Sequence, residues 1–512
     1  MELNLSNSQA ISNEHMTFTQ DTSFTHETSE EFSLPDYIDE VRRVLCIRTG
    51  ALPESKFLSD TGDNTSLEIG GTVTYLVIYT NEDGELCSLP LTSSYEAHTV
   101  LISHPSTVMI DTVIDNVSCR VNAPRRLTLK TRLKSRVLCL STENVTEKLN
   151  GIGEDDQLFL ERKKATKKAL GLKQISLQGI RMKGELSDGG EENLKPVWCD
   201  ASIAISDTRA QNNSVSVRGE VLIKCLCKNG ERAVMLTKSM SLAEEIEAEG
   251  ASLGDLSRVN GRCISLSISN EQSQNSTSLF FELECELEGE LLRNADLSLT
   301  QDIYSTRHML ETEYRELETY TALKAQNTSF TISETVKRKS KDMDEIIDTI
   351  ATPVYERAEC KNGKCIISGK LSLTVIGKST GEDGEEYLSE AYELPFKFAT
   401  DMGKSLSEVI ARCDVSASDV SAHLEGEKLL CSCEINLAYE LFERDTVTVL
   451  DSASLCRDKE IARESACVRV YFPKEGDTLW EIAKKYHITV SQLKERNDLS
   501  DSGIDSSRCI II

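Results

Sequence analysis

Three stretches of this chain alternate apolar and polar residues over a strand's length, and each alternation is built around a glycine. Leu67, Ile69, Gly71, Val73, Tyr75, Val77 and Tyr79 form the first, and Val215, Val217, Gly219, Val221, Ile223, Cys225 and Cys227 the second. Cys365, Ile367, Gly369, Leu371, Leu373 and Val375 form the third. Alternation of period two puts one set of side chains on one face, as in an antiparallel sheet covered on one side only. The glycines lie 148 residues (71 to 219) and 150 residues (219 to 369) apart, so the pattern is an internal repeat. A Gly-Glu turn follows each strand, at Gly84-Glu85, Gly230-Glu231 and Gly384-Glu385. A second alternation then starts at Leu127, Leu279 and Leu429, which are 56, 60 and 60 residues after the respective glycines. A glycine inside a strand marks a bulge or a closely packed neighbour.

In the middle copy Leu279, Phe281, Leu283, Cys285 and Leu287 face one way. Glu282, Glu284, Glu286, Glu288 and Glu290 face the other, and read as a solvated row. At 512 residues the chain is too long for one core, and about three to four domains are expected. The reading is a mainly β chain with some α. An arm at 1–33 is expected to be mobile. β-rich repeats cover 34–140, 196–293 and 337–445, joined by a connector with acidic and basic patches at 141–195 and a helical one at 294–336. Leu310, Tyr314 and Leu317 supply the helical spacing over 308–326. The basic run Arg162, Lys163, Lys164, Lys167 and Lys168 reads as a solvated helix, with docking of an acidic partner as the alternative. A linker at 446–465 leads to a small C-terminal module at 466–512.

That module opens with an apolar strand at Cys467–Phe472. Thr478 with Glu481, and Thr489 with Gln492, are two capping boxes, each announcing a helix start. Leu479, Ile482, Ala483 and Tyr486 form one apolar stripe, and Ile488 with Leu493 has the spacing of a hydrophobic staple. Asn497 can close the second helix, and Cys509–Ile512 supplies a closing strand, giving the order βααβ. The run Gly476-Asp477-Thr478-Leu479-Trp480, continued by Ile482, Ala483 and Tyr486, resembles the LysM family signature. Leu493, Asn497 and Leu499 match its second signature. The resemblance implies a groove for N-acetylglucosamine-containing glycans or a partner, formed by Gly476, Asp477, Thr478, Leu479, Trp480, Asn497, Leu499 and Ile504. Ser506-Ser507-Arg508 stands where the family usually carries Pro-Gly-Gln, so the Pro-Gly turn of the groove rim is lost. Trp480 lies off the apolar stripe and reads either as a surface anchor or as packed against the terminal strand.

Leu34-Pro35-Asp36-Tyr37-Ile38-Asp39-Glu40-Val41 introduces the first copy, and Asp344-Glu345-Ile346 echoes it before the third. With the repeats, these residues resemble the SPOCS domain of sporulation proteins in spore-forming Firmicutes. SPOCS repeats ending in one LysM module are similar to the SipL type of spore morphogenetic protein. The resemblance implies a scaffold of spore-coat assembly in the mother-cell cytoplasm, at the forespore surface. Its implied partners are other coat morphogenetic proteins, including a coat-basement ATPase.

A formal charge of −27 argues against nucleic acid, which needs a basic face. No apolar run of about 18 residues could span a bilayer, and the first residues lack a signal peptide's charged and apolar regions. The seventeen cysteines include no CxxC pair and suit a reducing compartment. Cys225 with Cys227, and Cys431 with Cys433, share strand faces with core leucines and read as packing rather than metal ligands. His98 and His104 lack a ligand spacing. With no phosphate loop, GxSxG elbow or HExxH, the chain is expected to be non-catalytic, with no metal and no cofactor.

Overall fold

The computed structural model describes residues 14–60, 62, 64–102, 104–186, 194–230, 232–272, 277–340, 342–381, 384–402, 408–461, 468–499 and 508–512. The chain is mainly β, and each repeat is a six-stranded unit of two three-stranded sheets. The first comprises β1 (Glu14–Ser33), β2 (Arg43–Asp60), β3 (Thr65–Thr80), β4 (Leu86–Leu101), β5 (Thr107–Ala123) and β6 (Arg126–Asn144). Its sheets are β2-β3-β4 and β1-β6-β5, so the unit's first strand returns to pair with its last. A short β7 (Lys148–Asn150) and α1 (Glu154–Gln157) lead to the second unit. That unit runs β8 (Leu160–Glu185), β9 (Lys195–Gln211), β10 (Ser214–Asn229), β11 (Arg232–Glu247), β12 (Leu256–Gln272) and β13 (Thr277–Ser305). The third runs β14 (His308–Lys337), β15 (Glu345–Lys361), β16 (Lys364–Gly381), β17 (Gly384–Asp401), β18 (Val409–Glu425) and β19 (Lys428–Glu460). Pairing follows the same order in all three.

The alternating residues close a sandwich core in each unit. In the first, Leu67, Val73 and Val77 of β3 pack with Leu127, Leu129 and Leu133 of β6. In the second, Val217, Val221 and Ile223 meet Leu279, Phe281 and Leu283. Cys225, Cys227, Cys431 and Cys433 are all core residues, and no disulfide forms among the described residues.

The three repeat glycines sit beside bulges. A Cβ on Gly71, Gly219 or Gly369 would run into the carbonyl oxygen of Leu52, Ala204 or Val354 respectively. The register of the neighbouring strand shifts next to each of these contacts. A bulge bends its strand and presses a carbonyl toward the partner, leaving room only for hydrogen.

The segments read from sequence as arm and connectors are the first strands of the repeats. Within 1–33, residues 14–33 form β1, while 1–13 lie outside the described residues. β8 occupies the connector at 141–195, and β14 the expected helix at 308–326. The linker at 446–465 is largely the end of β19. These strands bury only half of a mixed face, so they lack a clean apolar alternation, and the Leu310–Tyr314–Leu317 spacing imitates a helix. The Arg162–Lys168 run likewise lies on a strand, where Arg162 pairs with Glu147, Lys167 with Asp445 and Lys168 with Asp296.

The units meet around a common axis. Phe18 and Leu140 of the first, Leu172 and Leu292 of the second, and Ala322 and Phe442 of the third share one cluster. Leu45 and Ile78, Trp198 and Leu226, and Ile350 and Ile376 share another. Equivalent positions from all three repeats therefore converge, as in a pseudo-threefold assembly. Beyond this junction the ends of β8, β13, β14 and β19 continue as a stalk. Leu297, Leu299, Leu317, Val447 and Val449 fill its base, Ile303, Leu450 and Ala453 its upper part, and β7 pairs in parallel with β19 at Ser452–Ser454.

Candidate functional site

The C-terminal module crowns this stalk. Its strands are β20 (Val470–Tyr471) and β21 (Ile510–Ile511), and its helices are α2 (Leu479–Tyr486) and α3 (Val490–Asn497). Both capping boxes form. Thr478 Oγ1 accepts from the Glu481 backbone N–H at 3.2 Å, and Glu481 Oε2 accepts from the Thr478 N–H at 3.1 Å. Thr489 and Gln492 repeat the exchange at 3.0 and 3.2 Å. His487 and Asp498 adopt left-handed C-cap conformations. Ile482, Ala483, Leu493 and Ile510 form the buried core, with Leu479, Ile488 and Leu499 packed against it.

The residues that the LysM resemblance points to divide into several roles. Gly476 makes the turn at φ +97°, and with Thr478 it is exposed. Asp477 accepts from the Tyr471 hydroxyl at 2.7 Å and the Lys474 N–H at 2.8 Å. Those bonds draw its carboxyl below the ordinary range, the Lys474 N–H contributing most. Asn497 clamps the terminal strand: its Nδ2 donates to the carbonyls of Leu493 and Ile511, and its Oδ1 accepts from the Ile511 N–H. Ile504, and with it Ser506 and Ser507 of the second rim, lies outside the described residues.

Trp480 turns toward the stalk rather than the terminal strand. Its Nε1–H donates to Asp302 Oδ2 at 2.8 Å, and its ring meets Tyr304 edge-on with centroids 4.9 Å apart. Lys484 donates to both oxygens of Asp302, at 2.7 and 2.8 Å, and the Tyr314 hydroxyl adds another bond. Burial opposes ionisation of Asp302, but the hydrogen bonds from Lys484, Tyr314 and Trp480 outweigh it and hold the carboxyl low. Tyr304 is buried in the module's own core and donates to the Ile488 carbonyl at 2.7 Å. His487 Nδ1 lies 3.1 Å from the Ser305 carbonyl. Asp302, Tyr304 and Ser305 carry no local sequence signal for this role, since only the fold brings them to the module.

Two exposed features of the module could meet a ligand or partner. One is the Gly476–Thr478 loop. The other is an apolar strip along β20 and its flanks, where Val468, Val470 and Phe472 are exposed and Ile511 sits opposite Val470. Val468 is 76% and Phe472 74% exposed, unusual for an apolar strand face. Among the described residues no group of His, Cys, Asp and Glu could hold a metal ion, and no helix is long and apolar enough to cross a membrane. No curated protein and no solved structure matches the chain. The family model of the LysM domain matches residues 474–508, so a LysM domain stands at the end of this β-repeat chain.

Proposed function

We propose that the chain is a non-catalytic adaptor of spore-envelope assembly, in which the three-repeat body is a scaffold and the LysM domain its recognition head. The observation that carries this reading is the seating of the head. Trp480, Lys484 and His487 are bound to the stalk, which leaves an exposed apolar strip at Val468, Val470, Phe472 and Ile511 facing outward. An aliphatic and aromatic strip suits a protein surface, because sugar rings are held by polar groups as well as stacking. The resemblance of the repeat sequences to the SPOCS domain supports coat morphogenetic proteins, including a basement ATPase, as the partner class. It also supports a place in the mother-cell cytoplasm at the forespore surface.

A second reading is glycan binding, peptidoglycan or chitin-type, which many LysM domains perform. The family match and the exposed Gly476–Thr478 loop favour it. One experiment separates the two. The full chain, Val470→Ser/Phe472→Ser and Gly476→Asp are compared in capture from sporulating cells and in sedimentation with purified peptidoglycan. The adaptor reading expects coat proteins to be captured by the full chain and lost with the double variant. Peptidoglycan binding that is lost only with Gly476→Asp, without coat-protein capture, would replace it with the glycan reading.

A further inference from the structure

The pseudo-threefold axis carries a set of charges that is complete at two positions and neutral at the third. One cross-strand pair of the β5-β6, β12-β13 and β18-β19 ladders faces this axis. It is Met109–Leu138 in the first repeat, Arg258–Glu290 in the second and Arg412–Glu440 in the third. Two residues beyond the first member stand Asp111, Asn260 and Asp414. Arg258 of the second repeat is ion-paired with Asp414 of the third, and also meets Glu290 at 3.2 Å and Glu440 at 3.4 Å. Arg412 of the third repeat donates to Asp111 of the first at 2.8 Å and to Glu290 at 2.6 Å. Each arginine thus reaches the acid of the next repeat around the axis.

By the same rule the third pair would join position 109 of the first repeat to position 260 of the second. Those residues are Met109 and Asn260, and both are uncharged. Asn260 Nδ2 donates instead to Asp414 at 2.6 Å, and Met109 Sδ lies 3.6 Å from Arg412. Losing one partner of a buried pair strands a charge, whereas losing both is tolerated. Loss of both here is therefore the self-consistent way to leave one seam without a lock. A cavity of 380 Å³ lies at that seam, bounded by Lys56 and Val108 of the first repeat and by Ile175 and Gly289 of the second, with the paired Glu290 and Arg412 at its inner end. Its counterpart between the second and third repeats, beside Asn260 and Asp414, is 190 Å³. At the far end the first and second repeats are tied by Arg48 with Asp200 and by Ser88 to the Val197 carbonyl.

We propose that the Arg–Asp pairs are keys that fix the cyclic order of the repeats, and that the unkeyed seam between the first and second repeats is where the body opens. The Arg48–Asp200 end acts as the hinge. Opening exposes β5 and β8, each of which ends its sheet.

Hydrogen exchange on the full chain tests this. Backbone amides at 108–110 and 174–176 should exchange at least about tenfold faster than those at 259–261 and 414–416, since locally opening units exchange first. Installing the missing key with Met109→Arg/Asn260→Asp should slow exchange at 174–176. The double variant should also melt higher than either single variant. Equal exchange at all seams, or a double variant whose loss is the sum of the two singles, overturns the proposal. If the double variant does not fold, removal of an existing key decides. Arg412→Met/Asp111→Asn should then melt above Arg412→Met alone and should speed exchange at 411–413, and failure of either also overturns it.

Discussion

The body and its head are held together by different means. Each repeat closes its own core between two sheets of long strands, and its polar axis is sealed by arginine–carboxylate pairs. Among the described residues the LysM domain buries four hydrophobic residues of its own, Ile482, Ala483, Leu493 and Ile510, and completes that core with Tyr304 from the stalk. A domain this small gains little from burial alone, so the stalk supplies stability and sets direction at once. The head is therefore an oriented part of the scaffold, and the face it presents is decided by Asp302 and Tyr304.

The contrast is sharpest where one side chain serves one region only. The largest effect is expected for Arg412→Met, which leaves Asp111, Glu290 and Glu440 short of a buried cation. A loss of about 3–5 kcal/mol should appear in the denaturant midpoint of the body. Next comes Ile482→Ala, with about 2–5 kcal/mol from a truncated core side chain. Its effect should be confined to the head, read as protease cleavage after 468 while the body transition is unmoved. Simultaneous loss of both transitions would show that the two regions fold as one.

Asp302→Asn should cost about 1–3 kcal/mol of docking, because a neutral amide cannot serve Lys484 and Trp480 together. Lys484→Met in the same background should add little, and full additivity would break the proposed contact. The smallest effect is that of pH. Burial raises the Glu440 carboxyl to about 7 from 4.5, against the pull of Arg258 and Arg412. The folded state then keeps a proton that the unfolded state has released between those values. This contribution is fully present below about 4.5 and lost as pH rises through about 7. Glu440→Gln should remove that part of the decline, and an unchanged slope between pH 5 and 8 would refute it.

Much of this comparison was legible in the residues, unevenly. The head could be read closely, because Thr478–Glu481 and Thr489–Gln492 are local devices whose partners lie three residues away. The glycines at 71, 219 and 369 announced their bulges, since only hydrogen fits beneath a bent neighbour. The first strand of every repeat was hidden. β1, β8 and β14 are edge strands with Thr, Ser, Lys and Glu on half-buried faces, and Leu310, Tyr314 and Leu317 mimic a helix by chance. The Glu282–Glu290 row is solvated only in part. Glu282 and Glu284 pair at the surface with Lys183 and Arg181. Glu286 and Glu290 are buried against Arg262, and against Arg258 and Arg412. Their arginines come from other strands, and for Arg412 from another repeat, so the row's own pattern could not reveal them. Trp480 reads from sequence as a surface anchor or as packed against the terminal strand, whereas in the structure it is bound to Asp302 and Tyr304 of the stalk.

The central claim, that Trp480 holds the head to the stalk, can be tested by its fluorescence. In a Trp198→Phe chain Trp480 is the one remaining indole. Acrylamide quenching should be weak in that chain and rise severalfold when Tyr304→Ala is added, with the emission shifting to the red. Equal, strong quenching in both chains would mean that Trp480 already faces solvent and that the head is not docked.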